Sequence, residues 1–198
     1  MITRRTMIVA ALLSSLTQIA FAQDVGDDGL HKQPWFHEGF LEMGPDLAEA
    51  AEAGKGLIVI FEQKGCPYCR ELHEVNLVIP EIAEYQAENF LTVQINMWGS
   101  RIVTDFDGVE VGERELAQKW LINFTPTTLF FAKERVDAAT FQEAESFRMP
   151  GYFKPFHYAS ALAFVASGAY SDEGFQRFTQ ARFDRLVEEG KDPSIWVD

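Results

Sequence analysis

Ten residues, Phe61-Glu62-Gln63-Lys64-Gly65-Cys66-Pro67-Tyr68-Cys69-Arg70, constrain this chain more than any other stretch. An apolar run, Leu57 to Phe61, precedes them, and a helix-like stretch, Glu71-Leu72-His73-Glu74-Val75, follows. Strand, tight turn, then two cysteines three apart at a helix start is the layout of a dithiol redox site. The chain has 2 cysteines in all, so it commits no sulfur to any other bridge.

A structural disulfide at this spacing would close a very small loop. Little unfolded-state freedom would be lost, so little stability would be gained, which favours chemistry as the reason for the pair. Positions i and i+3 at a helix start share a face, and Cys66 at the tip is the more accessible. Cys66 is therefore read as the nucleophile and Cys69 as the thiol that resolves the mixed disulfide. The helix N-terminus favours the thiolate, and Lys64 and Arg70 would add to this if they face the site. At a pKa near 8.5 only ~3% of a thiol is ionised at pH 7, whereas near 6.5 about three quarters would be. The Cys66 pKa is accordingly expected below the free-cysteine value.

Two other uses of the pair compete with this reading. Cys66, Cys69 and His73 could ligate a metal, His73 being one helical turn beyond Cys69. A structural zinc site needs four protein ligands, however, and no further cysteine is present. His73 is otherwise read as a surface residue of the helix. Haem attachment would need His directly after the second cysteine, where Arg70 stands. A dithiol that binds metal or peptide without redox turnover stays as the alternative function.

The N-terminus carries the pattern of an export signal. Arg4 and Arg5 precede an apolar stretch, Met7 to Ala20, and Ala20-Phe21-Ala22 is a small-x-small cleavage site. Residues 1–22 are read as a signal peptide, 23–44 as an N-terminal extension and 45–198 as the folded domain with a C-terminal helical extension. The apolar stretch is short for a membrane span, so no stable membrane anchor is expected. Thr3-Arg4-Arg5-Thr6-Met7 also resembles a twin-arginine signal, and general or twin-arginine export would both deliver the protein to the periplasm. Loss of Arg4 and Arg5 takes the formal charge from −13 to −15, which disfavours nucleic acid and anionic membrane as partners.

Along the chain, Gln23 to Leu30 is rich in Asp and Gly and reads as flexible, while Trp35, Phe36 and Phe40 suggest a short packed element. Pro45 opens a short helix over 46–53, ended by Gly54-Lys55-Gly56. Leu57 to Phe61 has the unbroken apolar run of a strand covered on both faces. Pro67 fits a first helical turn, and Pro80 restarts or kinks the helix, which continues to Asn89. Phe90 to Asn96 completes a strand–helix–strand unit, implying parallel pairing. Between Trp98 and Gly112 two short strands flank Asp107-Gly108, a hairpin signal; Asp105 and Asp107 lack the full spacing of a calcium loop. Glu113 to Asn123 reads as a helix with Leu116, Ala117, Trp120 and Leu121 on one face. A turn then leads into a strand ending at Phe131, with 141–149 as its partner. Two helices follow, one from Pro155 carrying Phe156 and Leu162, and one over 172–189 with Phe175, Phe178, Phe183 and Leu186 inward.

Phe61 to Arg70, the Thr125-Pro126-Thr127 turn before a strand, and Gly151 before a late helix together resemble the thioredoxin fold, over roughly residues 45–166. The resemblance implies an α/β architecture: a central mixed sheet flanked by helices, here with a hairpin insertion and an extra C-terminal helix. It implies a cis Thr125–Pro126 peptide facing the dithiol; no cofactor and no bound metal are expected. It also makes Pro67, Tyr68, Thr125 and Pro126 the surface that binds a protein disulfide substrate as an extended segment.

Glu62 to His73, Asn96-Met97-Trp98-Gly99, Thr104 to Gly108, Leu116-Ala117 and Thr125 to Thr127 are similar to the SoxW-like periplasmic thioredoxins. That resemblance implies a thiol–disulfide oxidoreductase tied to sulfur oxidation, a reductase rather than an oxidase, recharged by a membrane electron carrier of the CcdA/DsbD type. One departure concerns the mechanism. Many thioredoxins carry a buried acid six residues before the first cysteine, and here that residue is Ile60. Glu62 is then the nearest candidate proton relay for Cys69, its other reading being an exposed carboxylate at a strand end. Pro67-Tyr68 between the cysteines is glutaredoxin-like, although the Gly-Gly-x-Asp glutathione motif is absent. It suggests a potential of about −200 to −230 mV.

Overall fold

The computed structural model describes residues 25–193, so the signal-peptide reading of residues 1–22 falls outside the described part. The elements in order are α1 (Met43–Glu52), β1 (Gly56–Glu62), α2 (Pro67–Glu71), α3 (Pro80–Asn89), β2 (Phe90–Asn96), β3 (Ile102–Thr104), β4 (Glu110–Gly112), α4 (Glu113–Lys119), β5 (Thr127–Phe131), α5 (Phe141–Ala144), β6 (Glu145–Pro150), α6 (Pro155–Ala166) and α7 (Phe175–Glu188). Four strands form a mixed sheet in the order β2-β1-β5-β6, and β3 and β4 pair as a separate hairpin. β1 runs parallel to β2 and antiparallel to β5, which is antiparallel to β6. The α/β fold with helices on a mixed sheet, a hairpin insertion and a C-terminal helix is the architecture the resemblance implied.

β1 is central and buried along its whole length because both faces are covered. Leu57, Val59 and Phe61 point to one core with Val93, Ile95, Leu129 and Phe131, beneath α1, the hairpin and α4. Ile58 and Ile60 point to the other with Phe130, beneath Leu72, Leu77 and Ile82 and the apolar helix α6. This is the two-residue alternation of a strand read across two cores. Trp120 anchors the first core: it is fully buried, its ring meets Phe61, Phe106, Phe131 and Phe141, and its Nε1–H donates to Asp105 Oδ1 at 3.1 Å. Asp105 also pairs with Lys119 at 2.7 Å, so the hairpin acid serves a helix rather than a cation loop.

Several local expectations are corrected. Residues 25–30 form a turn, with Leu30 buried and Val25 bridged to His31, so the Asp/Gly-rich composition concealed one anchoring leucine. Trp35 and Phe36 pack on the second core as expected, but Phe40 is 91% exposed. The helix of α2 widens into a π segment over Leu72–Asn76, which leaves Val75 exposed. α4 ends at Lys119 and Leu121 takes a left-handed φ of 57°, which turns its side chain into solvent rather than onto the helix face. Within 141–149, Thr140 caps a single helical turn before β6 begins at Glu145. A 3-10 turn over Ala169–Ser171 precedes α7, where Leu186 is buried and Phe183 is 41% exposed beside the Phe156 ring.

Candidate functional site

β1 delivers the chain to the dithiol, and Gly65, at φ 74°, makes the turn that a side chain would strain. Cys66 is the N-cap of α2 and Pro67 its first residue, where no N–H is needed. Cys66 and Cys69 are joined as a disulfide with Cα atoms 5.2 Å apart. Cys66 is 6% exposed and Cys69 only 1%, so Cys66 is the more accessible of the two sulfurs. The Cys69 N–H donates to Cys66 Sγ at 3.0 Å. Thr125 Oγ1–H donates to the same sulfur at 3.4 Å, and the Thr125 carbonyl oxygen lies 3.5 Å from it. A thiolate formed at Cys66 would meet these two donors and the start of the helix, all of which favour the ionised sulfur.

The Thr125–Pro126 peptide is cis, as the resemblance implied. Pro126 is buried and its carbonyl accepts from Gly151 N–H at 2.8 Å. Thr127 Oγ1–H holds the Phe124 carbonyl at 2.7 Å. Of the four residues expected to meet substrate, Thr125 touches the sulfur, while Pro67 and Tyr68 lie exposed beside it on α2. Tyr68 stacks on Tyr152 with ring centroids 6.4 Å apart, and Tyr152 O–H donates to Asn76 Oδ1 at 3.1 Å. Burial, followed by the Glu71 charge, raises the Tyr152 pKa. Phe124 and Trp98 are also exposed, and Trp98 Nε1–H donates to Gln63 Oε1 at 2.6 Å. The hairpin insertion is thereby tied to the turn that carries Cys66. Arg70 pairs with Glu74 at 3.7 Å instead of the dithiol, and the Lys64 chain lies against Gly29.

Two expectations about side chains change. His73 is fully buried rather than on the surface, and Glu62 is fully buried rather than an exposed strand-end carboxylate. His73 Nε2 lies 3.0 Å from Glu62 Oε1, and Gln94 Nε2–H donates to Glu62 Oε2 at 2.5 Å. His73 Nδ1 is 3.2 Å from Gln33 Nε2. Both ring nitrogens of His73 are thus engaged, and it does not join Cys66 and Cys69 as a metal ligand. Among the described residues no group of three or more His, Cys, Asp or Glu is arranged to hold a metal. Gln33, Gln94 and Trp98 were missed as site residues. The one signal in the sequence was the alternation Thr92, Gln94, Asn96, which puts polar side chains on a single face of an otherwise apolar strand.

A helix-capping dithiol set against a cis-proline loop supports a thiol–disulfide oxidoreductase. Residues 43–166 match the thioredoxin-like domain family, and the chain belongs to it. A thioredoxin-fold protein from Helicobacter pylori is similar, with 20% identity and a TM-score of 0.51 over 68% of this chain and 83% of that one. A thioredoxin from Thermus thermophilus shows 22% identity and a TM-score of 0.49 over 66% and 88%. No curated protein matches the chain.

Proposed function

We propose that the protein is an exported thiol–disulfide oxidoreductase acting in the periplasm as a reductase of protein disulfides. The observation that carries this reading is the Cys66–Cys69 pair at the start of α2, with Thr125 of the cis-proline loop in contact with Cys66 Sγ. In the reduced protein the Cys66 thiolate attacks one sulfur of the substrate disulfide and expels the other as a thiol. Cys69 then attacks Cys66, restoring the Cys66–Cys69 disulfide and releasing the second substrate thiol. Two electrons pass from protein to substrate, and a dithiol donor must return them. In an oxidising periplasm that donor is a membrane carrier of the CcdA/DsbD type. The resemblance of Glu62 to His73 and of the 98–112 insertion to SoxW-like thioredoxins supports substrates among sulfur-oxidation proteins. Arg4, Arg5 and Ala20-Phe21-Ala22 support export.

Partner trapping in the native compartment tests this. Cys69→Ser keeps the nucleophile but cannot resolve the mixed disulfide. It is expected to accumulate dithiothreitol-sensitive adducts with periplasmic proteins, the adducts being absent when Cys66→Ser is added. Full-length protein retained in the cytoplasm, or no Cys66-dependent adducts, would contradict the proposal.

A further inference from the structure

β1 and β2 run parallel and end together, Glu62 beside Asn96, so the residues after each strand meet at one end of the sheet. From β1 come Gln63 and the turn to Cys66, and from β2 come Met97 and Trp98. Two bonds join them. Met97 N–H donates to the Glu62 carbonyl at 2.7 Å, and Trp98 Nε1–H donates to Gln63 Oε1 at 2.6 Å. The Gln63 carbonyl in turn accepts from Cys66 N–H at 3.3 Å. A turn closed in this way holds its first and last Cα atoms within about 7 Å. Exposed Trp98 is therefore bonded to the turn that presents the nucleophile.

α4 begins beside this loop, with Arg114 N–H donating to the Gly99 carbonyl at 3.3 Å and the Arg114 guanidinium 5.4 Å from the centroid of the Trp98 ring. The ring restrains the guanidinium and covers one of its faces, which leaves the N–H edge for an acceptor. The acids next to it in sequence are taken. Glu113 accepts from Arg101 at 2.6 Å and from Asn96 N–H at 2.9 Å, and Glu115 accepts from Gly112 N–H at 2.7 Å. Lys64, two residues before Cys66, is in the same position. Its stem lies over Gly29, where no Cβ stands in its way, and the neighbouring Asp28 pairs with Lys32 at 2.7 Å and feels the Arg101 charge of the hairpin side. Among the described residues neither Arg114 nor Lys64 pairs with a carboxylate, whereas Arg70 on α2 is matched by Glu74. In a chain of formal charge −13, the hairpin side of the dithiol is a local exception.

We propose that Arg114, held on Trp98 and assisted by Lys64, recognises an acidic side chain of the substrate, so that the protein selects disulfides whose cysteine has Asp or Glu a few residues away. This rests on the dithiol turnover proposed above and adds a substrate class to it. The guanidinium edge and a carboxylate form a charge-assisted hydrogen bond while Cys66 meets the substrate sulfur. Trp98 is the positioning residue, because its ring fixes the guanidinium and its N–H ties that ring to Gln63. The chain as a whole repels an acidic partner, so the patch acts at contact, where charges beyond about 10 Å are screened at ordinary salt.

Two peptides test this, each closed by one disulfide and identical except for Glu in one and Lys in the other around both cysteines. The protein reduces them with dithiothreitol as the recycling donor, and kcat/KM is divided by the rate of the same peptide with dithiothreitol alone, which removes its intrinsic reactivity. Wild type is expected to favour the Glu peptide about three- to ten-fold at low ionic strength, with the preference shrinking towards one at about 0.5 M salt. Arg114→Gln should cut the preference about two- to five-fold, and Arg114→Lys, which keeps the charge without the planar stack, should cut it less. Lys133→Gln removes an equal charge at the far end of the sheet, where Lys133 donates to the Gly54 carbonyl ahead of β1, and should leave the preference as in wild type. A wild type that reduces both peptides equally, or favours the Lys peptide, overturns the substrate class. A preference unchanged in Arg114→Gln overturns the role of Arg114, and one lost equally in Lys133→Gln overturns a local site in favour of overall charge. A wild type that speeds the reduction of neither peptide overturns the dithiol turnover itself.

Discussion

His73 Nε2 and Glu62 Oε1 are 3.0 Å apart with neither side chain exposed to solvent. Removing one member of such a pair leaves the other buried without its partner. His73→Leu is therefore expected to cost about 3–5 kcal/mol in urea unfolding at pH 7.5. Adding Glu62→Leu removes the orphaned carboxylate and should recover most of that loss. Independent, additive losses from the two changes would contradict the coupling.

Cys66 Sγ accepts from the Cys69 amide at 3.0 Å and from the Thr125 hydroxyl at 3.4 Å. In the reduced protein, the rate of iodoacetamide alkylation of Cys66 against pH is expected to have a midpoint well below the usual ~8.5. Thr125→Ala removes one donor to the thiolate and should raise the midpoint by roughly half to one unit. A wild-type midpoint at or above ~8.5 would contradict the assigned polarity of the site.

Asp46 is buried in the first turn of α1; its Oδ2 has no hydrogen-bond partner, and His37 Nε2 stands 4.0 Å from Oδ1. Burial pushes its pKa up to about 6, with His37 acting in the opposite direction. The folded state therefore holds a proton that the unfolded chain gives up near the model-compound value of 3.8. Stability from this group is complete below about pH 4 and is lost as pH rises through about 6. Asp46→Asn should gain on wild type by up to about 3 kcal/mol between pH 4 and 7.5, read from denaturation midpoints at each pH. A pH-independent difference would contradict this.

Trp98 is 58% exposed, donates to Gln63 and lies under the Arg114 guanidinium at 5.4 Å. It buries little, so Trp98→Ala is expected to change stability by less than about 1 kcal/mol. Its bond to Gln63, three residues before Cys66, should make itself felt in substrate docking, raising KM for a protein disulfide several-fold with kcat nearly unchanged. A fall in kcat with KM unaltered would place Trp98 in the chemistry instead.

The dithiol and the parallel β1–β2 unit were legible because each rests on local residues, an apolar run and Cys-x-x-Cys on a proline-started helix, while the cis-proline loop came through the family resemblance that Thr125-Pro126-Thr127 helps to carry. His73 was not. Its helix face looked polar because the groups that cover it, Gln33 and Phe36, come from about forty residues upstream. Glu62 looked like a strand end open to water for the same reason, since Gln94 and the 31–36 segment close over it. Leu121 was misplaced because its left-handed backbone ends the helix early, which periodicity cannot register. Contacts local in sequence could be read; burial imposed by distant segments could not.

Reduction of insulin by dithiothreitol, followed as turbidity, tests the central claim most directly. Wild-type protein at catalytic concentration is expected to shorten the lag and speed precipitation, whereas Cys66→Ser should behave like the uncatalysed control. A Cys66→Ser protein as active as wild type, or a wild type no faster than dithiothreitol alone, would contradict the claim that Cys66 and Cys69 turn over protein disulfides.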